Sequence, residues 1–262
     1  MASSRLRAAF AASRPAFIAF LTAGFPTLAS TVPAMVAMQA SGVDVIEVGV
    51  PFSDPLADGG TIARANHVAL ANGVTVSWVL DAVRGARAAG VTVPVVLMGY
   101  INPILSYGEE RLARDAAAAG ADGFIVVDLL PEDARSFVGH CGAHGLAFIP
   151  LVAPTSTDER LALIAPAATS FVYCVSVTGV TGARTELPPD LSAFLARVRA
   201  AMPLAPLAVG FGLSTRAHID AVAALGADGV VVGSAIVKAL EDGGVPALTA
   251  LLGAIVPPRA SA

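Results

Sequence analysis

The chain has 262 residues, of which 55% are hydrophobic and 14% charged, and its net charge is −4 at pH 7. This length suits a single α/β barrel, and no linker rich in serine, proline or charge divides the chain, so we expect one domain over residues 1–262. The acidic balance offers no basic footprint, which argues against nucleic acid or anionic lipid as a partner.

The high apolar content is not gathered into membrane-spanning runs. Three uncharged windows, at residues 15–43, 88–108 and 163–183, are each broken by proline or by glycine with small polar residues. Strands covered on both faces give the same hydropathy, so we expect a buried parallel sheet. The two cysteines, Cys141 and Cys174, have no motif spacing, which fits a reducing compartment and predicts a cytoplasmic protein.

Short β-rich runs alternate with segments of helical spacing along the chain. A helix over Ser4–Ala12 is predicted to close the floor of a barrel. The predicted strands are Phe17–Thr22, Val43–Val48, Val95–Met98, Phe124–Val127, Ala147–Val152, Phe171–Val175, Leu207–Val209 and Val230–Val232. The clearest helical segments are Leu80–Ala89, Glu109–Ala119, Ala134–His144, Asp158–Ile164, Leu191–Ala201 and Ala217–Leu225. Eight βα units predict a closed (β/α)8 TIM barrel rather than a doubly wound sheet.

A related phrase precedes three of these strands. It reads AGADGF before the fourth strand and ALGADGV before the eighth, with the similar SGVDVI before the second. Each phrase fits a glycine that ends a helix, followed by a tight turn into the next strand. Asp122 and Asp228 are therefore expected at the bottom of the barrel, in structural roles.

The segment Val45–Ile62, reading VIEVGVPFSDPLADGGTI, places an acid within an apolar strand. Side chains alternate along a strand, so Val43, Val45 and Glu47 are expected to share one face, with Glu47 at the barrel mouth. Because an unpaired buried charge is costly, Glu47 is expected either to bond loop amides, to pair with an arginine, or to act as an acid and base.

The loop after this strand carries two more acids, Asp54 and Asp58. The glycines of PLADGG let the backbone double back, so the Asp58 carboxylate is expected to face the same mouth. The alternative is an acid that caps the helix starting near Thr61. Asp54 precedes a proline and fits a turn.

Glycine-rich segments follow the last three strands. They are SVTGVTGART at Ser176–Thr185, VGFGLS at Val209–Ser214 and VVGSAIVK at Val231–Lys238. Many barrels bind phosphate with the loops after strands seven and eight and with a helix N-terminus. Gly212, Gly233 and Ser234 are small enough to let backbone amides approach an anion, and Gly182 is expected to contribute from above. Plain flexible connections are the alternative.

Several chemistries are disfavoured by what the chain lacks. Lys238, the only lysine, lies beyond the last strand, which argues against a Schiff-base aldolase. His140 and His144 fit a helix surface, and no third ligand is evident nearby, so we expect no metal site. Tyr100 and Tyr173 end strands, where they either meet an aromatic substrate or pack in the core.

The motifs FLTAGFPT, VIEVGVPFSDPLADGGTI, LMGYINPI, VSVTGVTGART, VGFGLST and VVGSAIVK resemble those of the tryptophan synthase α subunit family, in order and nearly end to end. PFSDPLADG is close to a signature of that family, whereas the glycine loops alone fit other phosphate-binding barrels. Two departures, DGG where DGP is common and SVTG where an SR-type start is often seen, bear on loop packing and not on chemistry.

The resemblance implies a lyase that cleaves indole-3-glycerol phosphate into indole and glyceraldehyde 3-phosphate and carries no cofactor of its own. It also implies an α2β2 complex with a β subunit, which joins indole to serine on pyridoxal phosphate. The docking surface is expected on the loop Pro51–Pro55 and on the loop after the third strand, around Asn102–Tyr107.

The resemblance also assigns roles to individual residues. Glu47 is implied as the catalytic acid and base, with its pKa raised by burial, and Asp58 as the group that stabilises positive charge on the indole nitrogen. Asp58 is expected to stay ionised through solvent and loop amides. Phosphate-binding residues are implied at Gly182, Gly212, Gly233 and Ser234, and residues lining or supporting the pocket at Phe20, Tyr100, Tyr173 and Thr181.

Three other functions fit parts of the sequence. The same pocket would support a free-standing lyase that releases indole. A phosphate-ligand-binding barrel that mainly activates a partner is a second alternative, against which the intact Glu47 and Asp58 argue. A sugar-phosphate isomerase is a third, and PFSDPLADG disfavours it.

Overall fold

Parallel strands surrounded by helices form the fold in the computed structural model, which describes residues 4–11, 15–176, 188–210 and 212–258. The strands are β1 (Ala16–Thr22), β2 (Val45–Gly49), β3 (Val95–Gly99), β4 (Gly123–Val126), β5 (Ala147–Phe148), β6 (Leu151–Val152), β7 (Val172–Val175), β8 (Leu207–Gly210) and β9 (Gly229–Val232). The α-helices are α1 (Ser4–Ala9), α2 (Thr31–Ala40), α3 (Gly60–Ala71), α4 (Val76–Ala88), α5 (Ile101–Tyr107), α6 (Glu109–Ala119), α7 (Arg135–Ala143), α8 (Asp158–Ile164), α9 (Leu191–Ala201), α10 (Arg216–Ala224) and α11 (Ser234–Ile255). Single turns of 3-10 helix occur at Leu28–Ser30 and Ala165–Ala167.

The sheet closes on itself at Pro150. Its strand order is β5-β4-β3-β2-β1-β9-β8-β7-β6, and its two outermost strands follow each other in the chain, separated by Ile149 and Pro150. The backbone N–H of Ile149 donates to Phe124, while the carbonyl of Pro150 accepts from Tyr173. The predicted strand Ala147–Val152 is therefore interrupted, because proline has no N–H to donate to a ladder. The two pieces together fill the fifth strand position, and the predicted eight-position barrel is confirmed.

Alternation along the strands separates two hydrophobic layers. One set of buried side chains, including Ile18, Val45 and Val96, fills the inside of the barrel. The opposite set, including Ile46 and Leu97, packs beneath the surrounding helices. Val43 precedes the strand and belongs to this outer layer, so it does not share the inner face that the sequence predicted for it. Inward positions near the carboxyl ends of the strands are thereby left for the side chains of a site.

A short N-terminal helix plugs the bottom of the barrel. Leu6 is completely buried and packs with the interior layer, and Phe10 contacts Phe171 at a centroid distance of 5.0 Å. The helix α1 ends at Ala9, earlier than predicted, and Ala12 lies outside the described residues. The floor-closing role expected for this segment is the one the structure shows.

Three aspartates tie the bottom of the barrel together. Asp44, Asp122 and Asp228 each precede a strand. Each accepts a backbone N–H near the start of the previous strand in the chain, from Phe17, Val95 and Leu207 respectively, at 2.7–2.9 Å. Asp122 also accepts from Arg5 and Arg87, both at 2.8 Å. The recurring phrase of the sequence thus encodes a structural bond between adjacent strands, as predicted for Asp122 and Asp228.

Several helices did not stand out in the sequence. Helix α2 reads TVPAMVAMQA, almost uniformly apolar, so it shows no amphipathic period. The segment Asn102–Tyr107, predicted as a loop, lies in helix α5, and Pro103 occupies its first turn, where proline is tolerated. Helix α11 bends at Gly243–Gly244, whose backbone is not helical.

Within the described residues, no helix is both long and apolar enough to span a membrane.

Candidate active site

A cavity opens at the carboxyl ends of the strands and encloses about 720 Å³, the space at its mouth included. Eight of the residues predicted for the site line this one cavity: Phe20, Glu47, Asp58, Tyr100, Tyr173, Gly212, Gly233 and Ser234. The other two, Thr181 and Gly182, lie outside the described residues. The site is thus assembled from the ends of β1, β2, β3, β7 and β9 and from the loops that follow β2 and β8.

Glu47 lies at the inner face of β2, in register with Phe20 on β1 and Val96 on β3. Its side chain is completely buried, and neither carboxyl oxygen has a hydrogen-bond partner among the described residues. It neither pairs with an arginine nor bonds loop amides there. Burial raises the pKa of Glu47 from 4.5 to about 8, because the charged form loses its hydration. At neutral pH Glu47 is therefore mainly a protonated acid that faces the cavity.

Asp58 lies in the loop between β2 and α3 and faces the same cavity. Its Oδ2 accepts from the Asn66 amide at 3.0 Å, and the Tyr100 hydroxyl also donates to its carboxylate. Burial raises the pKa of Asp58 from 3.8 to about 6 against these two donors. Asp58 does not cap helix α3, whose N-cap is Gly59. It is mainly ionised at pH 7, and the two donors that favour its ionised form are side chains that the sequence did not indicate.

The opposite wall is formed by the loop after β8 and the start of α11. Gly212 has φ +85°, a left-handed conformation that other residues adopt only with strain. Helix α11 begins at Ser234 with Gly233 as its N-cap, and both residues line the cavity. The first N–H groups of a helix have no intrahelical partner and carry a partial positive charge. This wall is suited to an anion.

Two missing Cβ atoms let aromatic rings line the barrel. A Cβ at Gly49 would lie 2.6 Å from the Phe20 ring, and one at Gly210 would lie 2.2 Å from the Tyr173 hydroxyl oxygen. Phe20 and Tyr173 are both nearly fully buried and border the cavity. The rings offer flat apolar surfaces beside the acid Glu47, which suits an aromatic ligand.

Residues set aside in the sequence as non-catalytic lie away from this cavity. Lys238 and His140 lie on helices, and His144 follows the end of one. Across the described ranges, no group of three or more His, Cys, Asp or Glu side chains is arranged to hold a metal. Asp54 is exposed, and its carbonyl accepts from Leu56 in a turn.

Sequence reasoning missed Asn66, Met98 and Ile62, which also line the cavity. Asn66 lies on the stripe of α3 that is buried against the barrel, together with Ile62, Ala65 and Ala69. A polar residue within that apolar stripe was the available signal, since a buried amide needs a partner.

The arrangement combines a protonated acid, an oriented carboxylate and an anion-binding wall around one apolar cavity. Two carboxyl groups whose pKa values differ in this way can divide proton transfer and charge stabilisation between them. Such a site is suited to acid and base chemistry on a ligand that has an aromatic part and an anionic tail.

Comparison with known proteins identifies the family. A family model described as "Tryptophan synthase alpha chain" matches residues 6–250. The chain is 51% identical over 232 residues to the tryptophan synthase alpha chain of Roseiflexus sp. strain RS-1, covering 88% of each. It is 53% identical over 244 residues to the tryptophan synthase of Saccharomyces cerevisiae, where it spans 92% of this chain but 34% of the yeast protein.

Solved structures agree. A structure of Mycobacterium tuberculosis tryptophan synthase has a chain that superposes with a TM-score of 0.88 at 44% identity, covering 97% of this chain and 96% of that one. A structure from Aquifex aeolicus VF5 superposes with a TM-score of 0.87 at 36% identity, covering 96% of this chain and 97% of that one. The resemblance read from the motifs is confirmed along nearly the whole sequence. The chain therefore belongs to the tryptophan synthase alpha chain family.

Proposed function

We propose that this chain is a carbon–carbon lyase that cleaves indole-3-glycerol phosphate into indole and glyceraldehyde 3-phosphate, the α reaction of tryptophan biosynthesis. The observation that carries this proposal is the pairing, in one cavity, of Glu47, a fully buried acid with no hydrogen-bond partner among the described residues, and Asp58, an oriented carboxylate. Family membership supports the same reaction.

Glu47 begins the reaction as an acid. It donates its proton to C3 of the indole ring, and the ring becomes an indoleninium cation with its positive charge at nitrogen. The Glu47 carboxylate then takes the proton of the hydroxyl on the adjacent glycerol carbon. As that carbonyl forms, the bond from the glycerol carbon to C3 breaks and its electron pair returns to the ring. Glu47 ends protonated, as it started, and each well-placed proton transfer contributes typically 10² to 10⁴ in rate.

Asp58 stabilises the cation formed in between. Its carboxylate accepts a hydrogen bond from the indole N–H, which becomes stronger as positive charge develops on that nitrogen. Asp58 has to be ionised for this, while Glu47 has to be protonated at the start. The pKa values of about 6 and about 8 satisfy both requirements near pH 7.

The phosphate group orients the reacting carbon. Gly212, Gly233 and Ser234 hold it at the N-terminus of α11. Gly182, which follows β7 in the sequence, contributes to the same group. The indole ring lies against Phe20 and Tyr173, while Thr181 and Tyr100 line or support the pocket. Binding energy from the phosphate, remote from the breaking bond, lowers the entropic cost of alignment.

We also propose that the chain works in an α2β2 complex with a tryptophan synthase β subunit, which holds the pyridoxal phosphate. The docking surface consists of the loop Pro51–Pro55 and helix α5, at the rim of the cavity. Leu56 and Leu105 support this placement, since they are 88% and 57% exposed on that rim. This chain itself uses no cofactor.

The chain is further proposed to act as one domain over residues 1–262 in the cytoplasm. One continuous barrel sheet supports the single domain. Cys141 and Cys174 are both buried free thiols, which supports a reducing compartment.

A steady-state assay of indole release from indole-3-glycerol phosphate, with and without β subunit, tests the function. Wild type should turn over, whereas Glu47→Gln should lose turnover while still binding substrate, and Asp58→Asn should lose most activity. Glu241→Gln, an equally conservative change at an exposed ion pair with Arg64, is the matched control. Turnover by Glu47→Gln similar to wild type would refute the role of Glu47.

The same assay separates the alternatives. Stimulation by the β subunit supports the two-protein complex, and full activity without stimulation supports a free-standing lyase. A chain that raises β-subunit activity but never cleaves the substrate would be an activating barrel.

A further inference from the structure

We propose that Asn66 and Tyr100 are positioning residues that together hold the Asp58 carboxylate in one orientation toward the cavity. This inference rests on the proposed function and deepens it. It gives Tyr100, which lines the cavity, the further role of holding Asp58, and it adds Asn66, which no motif indicated.

The first contact comes from helix α3. Asn66 is 4% exposed and lies on the buried stripe of the helix, where its Nδ2 donates to Asp58 Oδ2 at 3.0 Å. A polar side chain at an otherwise apolar helix position is retained at a cost, because its amide must be removed from water. Here the amide is directed at a carboxylate, and hydrogen bonds to charged groups are the stronger ones.

The second contact comes from the end of β3. The Tyr100 hydroxyl accepts a hydrogen bond from the backbone N–H of Ala57 at 3.0 Å and donates a hydrogen bond to the Asp58 carboxylate. The backbone N–H of Ala57 thus holds the hydroxyl beside Asp58, where its hydrogen bond favours the ionised carboxylate. The ring packs on Phe52 at a centroid distance of 5.1 Å. Tyr100 therefore holds the loop at three points, which are the residue before Asp58, Asp58 itself and Phe52.

The two donors approach Asp58 from elements that do not depend on the loop. Asn66 lies in α3, and Tyr100 directly follows β3 as the N-cap of α5. A carboxylate held from two rigid elements keeps its orientation when the substrate is absent, so less reorganisation is needed as charge develops.

The surroundings of Asp58 determine how its ionisation responds. Tyr100 faces it from the end of β3, Glu47 and Tyr173 share the cavity with it, and Asp128 interacts with Tyr100. Burial opposes ionisation of Asp58, and both donors favour it. Loss of either donor should therefore raise the pH below which Asp58 is protonated and inactive.

The test compares Tyr100→Phe and Asn66→Leu, which remove a donor with little change of volume. In each variant kcat should fall about tenfold with KM nearly unchanged, since the interaction strengthens only as charge develops. The acid limb of kcat/KM should move up by about one pH unit, the equivalent of one hydrogen bond to a charged group. The substrate phosphate also titrates near pH 6, but identically for every variant.

His67→Ala is the matched control. His67 Nε2 contacts the Ser53 carbonyl at 3.1 Å, so its loss loosens the same loop without removing a donor to Asp58. Its acid limb should stay at the wild-type position. In an Asp58→Asn background, Tyr100→Phe should cause no further loss of kcat.

A readout independent of turnover separates this inference from the proposed function. Carbon NMR titration of the side-chain carboxyl, assigned with Asp58→Asn, should show the pKa of Asp58 rising in both donor variants, even if the chain never cleaves the substrate. Unchanged titration in both variants would overturn the inference. So would a rise in KM at constant kcat for Tyr100→Phe, which would make Tyr100 a substrate contact.

Discussion

Replacing Glu47 by glutamine should stabilise the protein by an amount that grows with pH. Glu47 has a pKa of about 8 in the folded chain, against 4.5 as the ordinary value. Below pH 4.5 the carboxyl is protonated in both states, and its ionisation does not affect stability. As pH rises toward 8, the unfolded chain gains from ionising Glu47 while the folded chain does not, so wild type progressively loses stability.

The magnitude follows from the difference between the two pKa values. Each pH unit between them corresponds to about 1.4 kcal/mol, so wild type loses about 3 kcal/mol by pH 7 and about 5 kcal/mol by pH 8 and above. Glutamine has nearly the same shape and no proton to lose, so the variant escapes this loss. A gain of about 3 kcal/mol is large beside the 5–15 kcal/mol that is typical of folded proteins.

Urea unfolding at several pH values measures the effect. The difference in unfolding free energy between Glu47→Gln and wild type should be nearly constant below pH 4.5, rise by about 1.4 kcal/mol per pH unit to pH 8, and then level off. The slope is informative because the cost of burying the amide does not change with pH. Glu241→Gln should show no such rise, since its ion pair with Arg64 lowers the pKa of that exposed carboxyl. A flat difference from pH 5 to 8 in the Glu47→Gln series would refute the reasoning.

Three further outcomes are expected. The pH profile of kcat/KM should be bell-shaped, falling below about pH 6 as Asp58 becomes protonated and above about pH 8 as Glu47 becomes ionised. A stopped-flow or steady-state series from pH 5 to 9 measures the profile, and a flat profile would contradict the prediction. Gly233→Ala should fold normally, because the added methyl makes only ordinary contacts, at 3.5 Å or more, with Phe20 and Ile62. It should raise KM about tenfold, because the methyl occupies space at the wall where the phosphate binds. An unchanged KM would mean that the phosphate binds elsewhere. Asp122→Ala should lower the free energy of unfolding in urea by about 3–5 kcal/mol, because it removes the buried partner of Arg87 and of a strand N–H. The kcat of the folded fraction should be unchanged. A stability close to that of wild type would argue against this structural role.

Much of the barrel could be predicted from the sequence because its local signals are strong. Helix α6 has polar and apolar faces and a terminal glycine with φ +94°, and its predicted bounds agree with the observed ones. The turn phrase containing Asp122 recurs because each copy makes the same bond at the floor. Helix α2 escaped prediction because it is apolar on most sides. The strand break at Pro150 escaped it because Ile149 and Pro150 bond to two different strands, through Phe124 and Tyr173, which are distant in the sequence.

The candidate site was also predictable only in part from the sequence. Glu47 and Asp58 could be predicted as a pair, because an acid within an apolar strand is costly to bury and therefore indicates a partner or a catalytic role. How Asp58 is held was not predictable, since Asn66 lies eight positions along the chain and Tyr100 follows a different strand, β3. Contacts between segments that are distant in the chain are difficult to predict from a single sequence. The sequence predicted an ionised Asp58 but did not indicate its two side-chain donors.

The plug formed by Leu6 determines where a product can leave the barrel. In the part of the chain that the structure describes, Leu6 fills the floor beneath the interior layer, so the barrel offers no exit at that end. Whatever is released from beside Glu47 must depart through the rim by which it arrived. A neutral, oily product such as indole would then emerge directly beneath a subunit seated on that rim, before it could spread into bulk water.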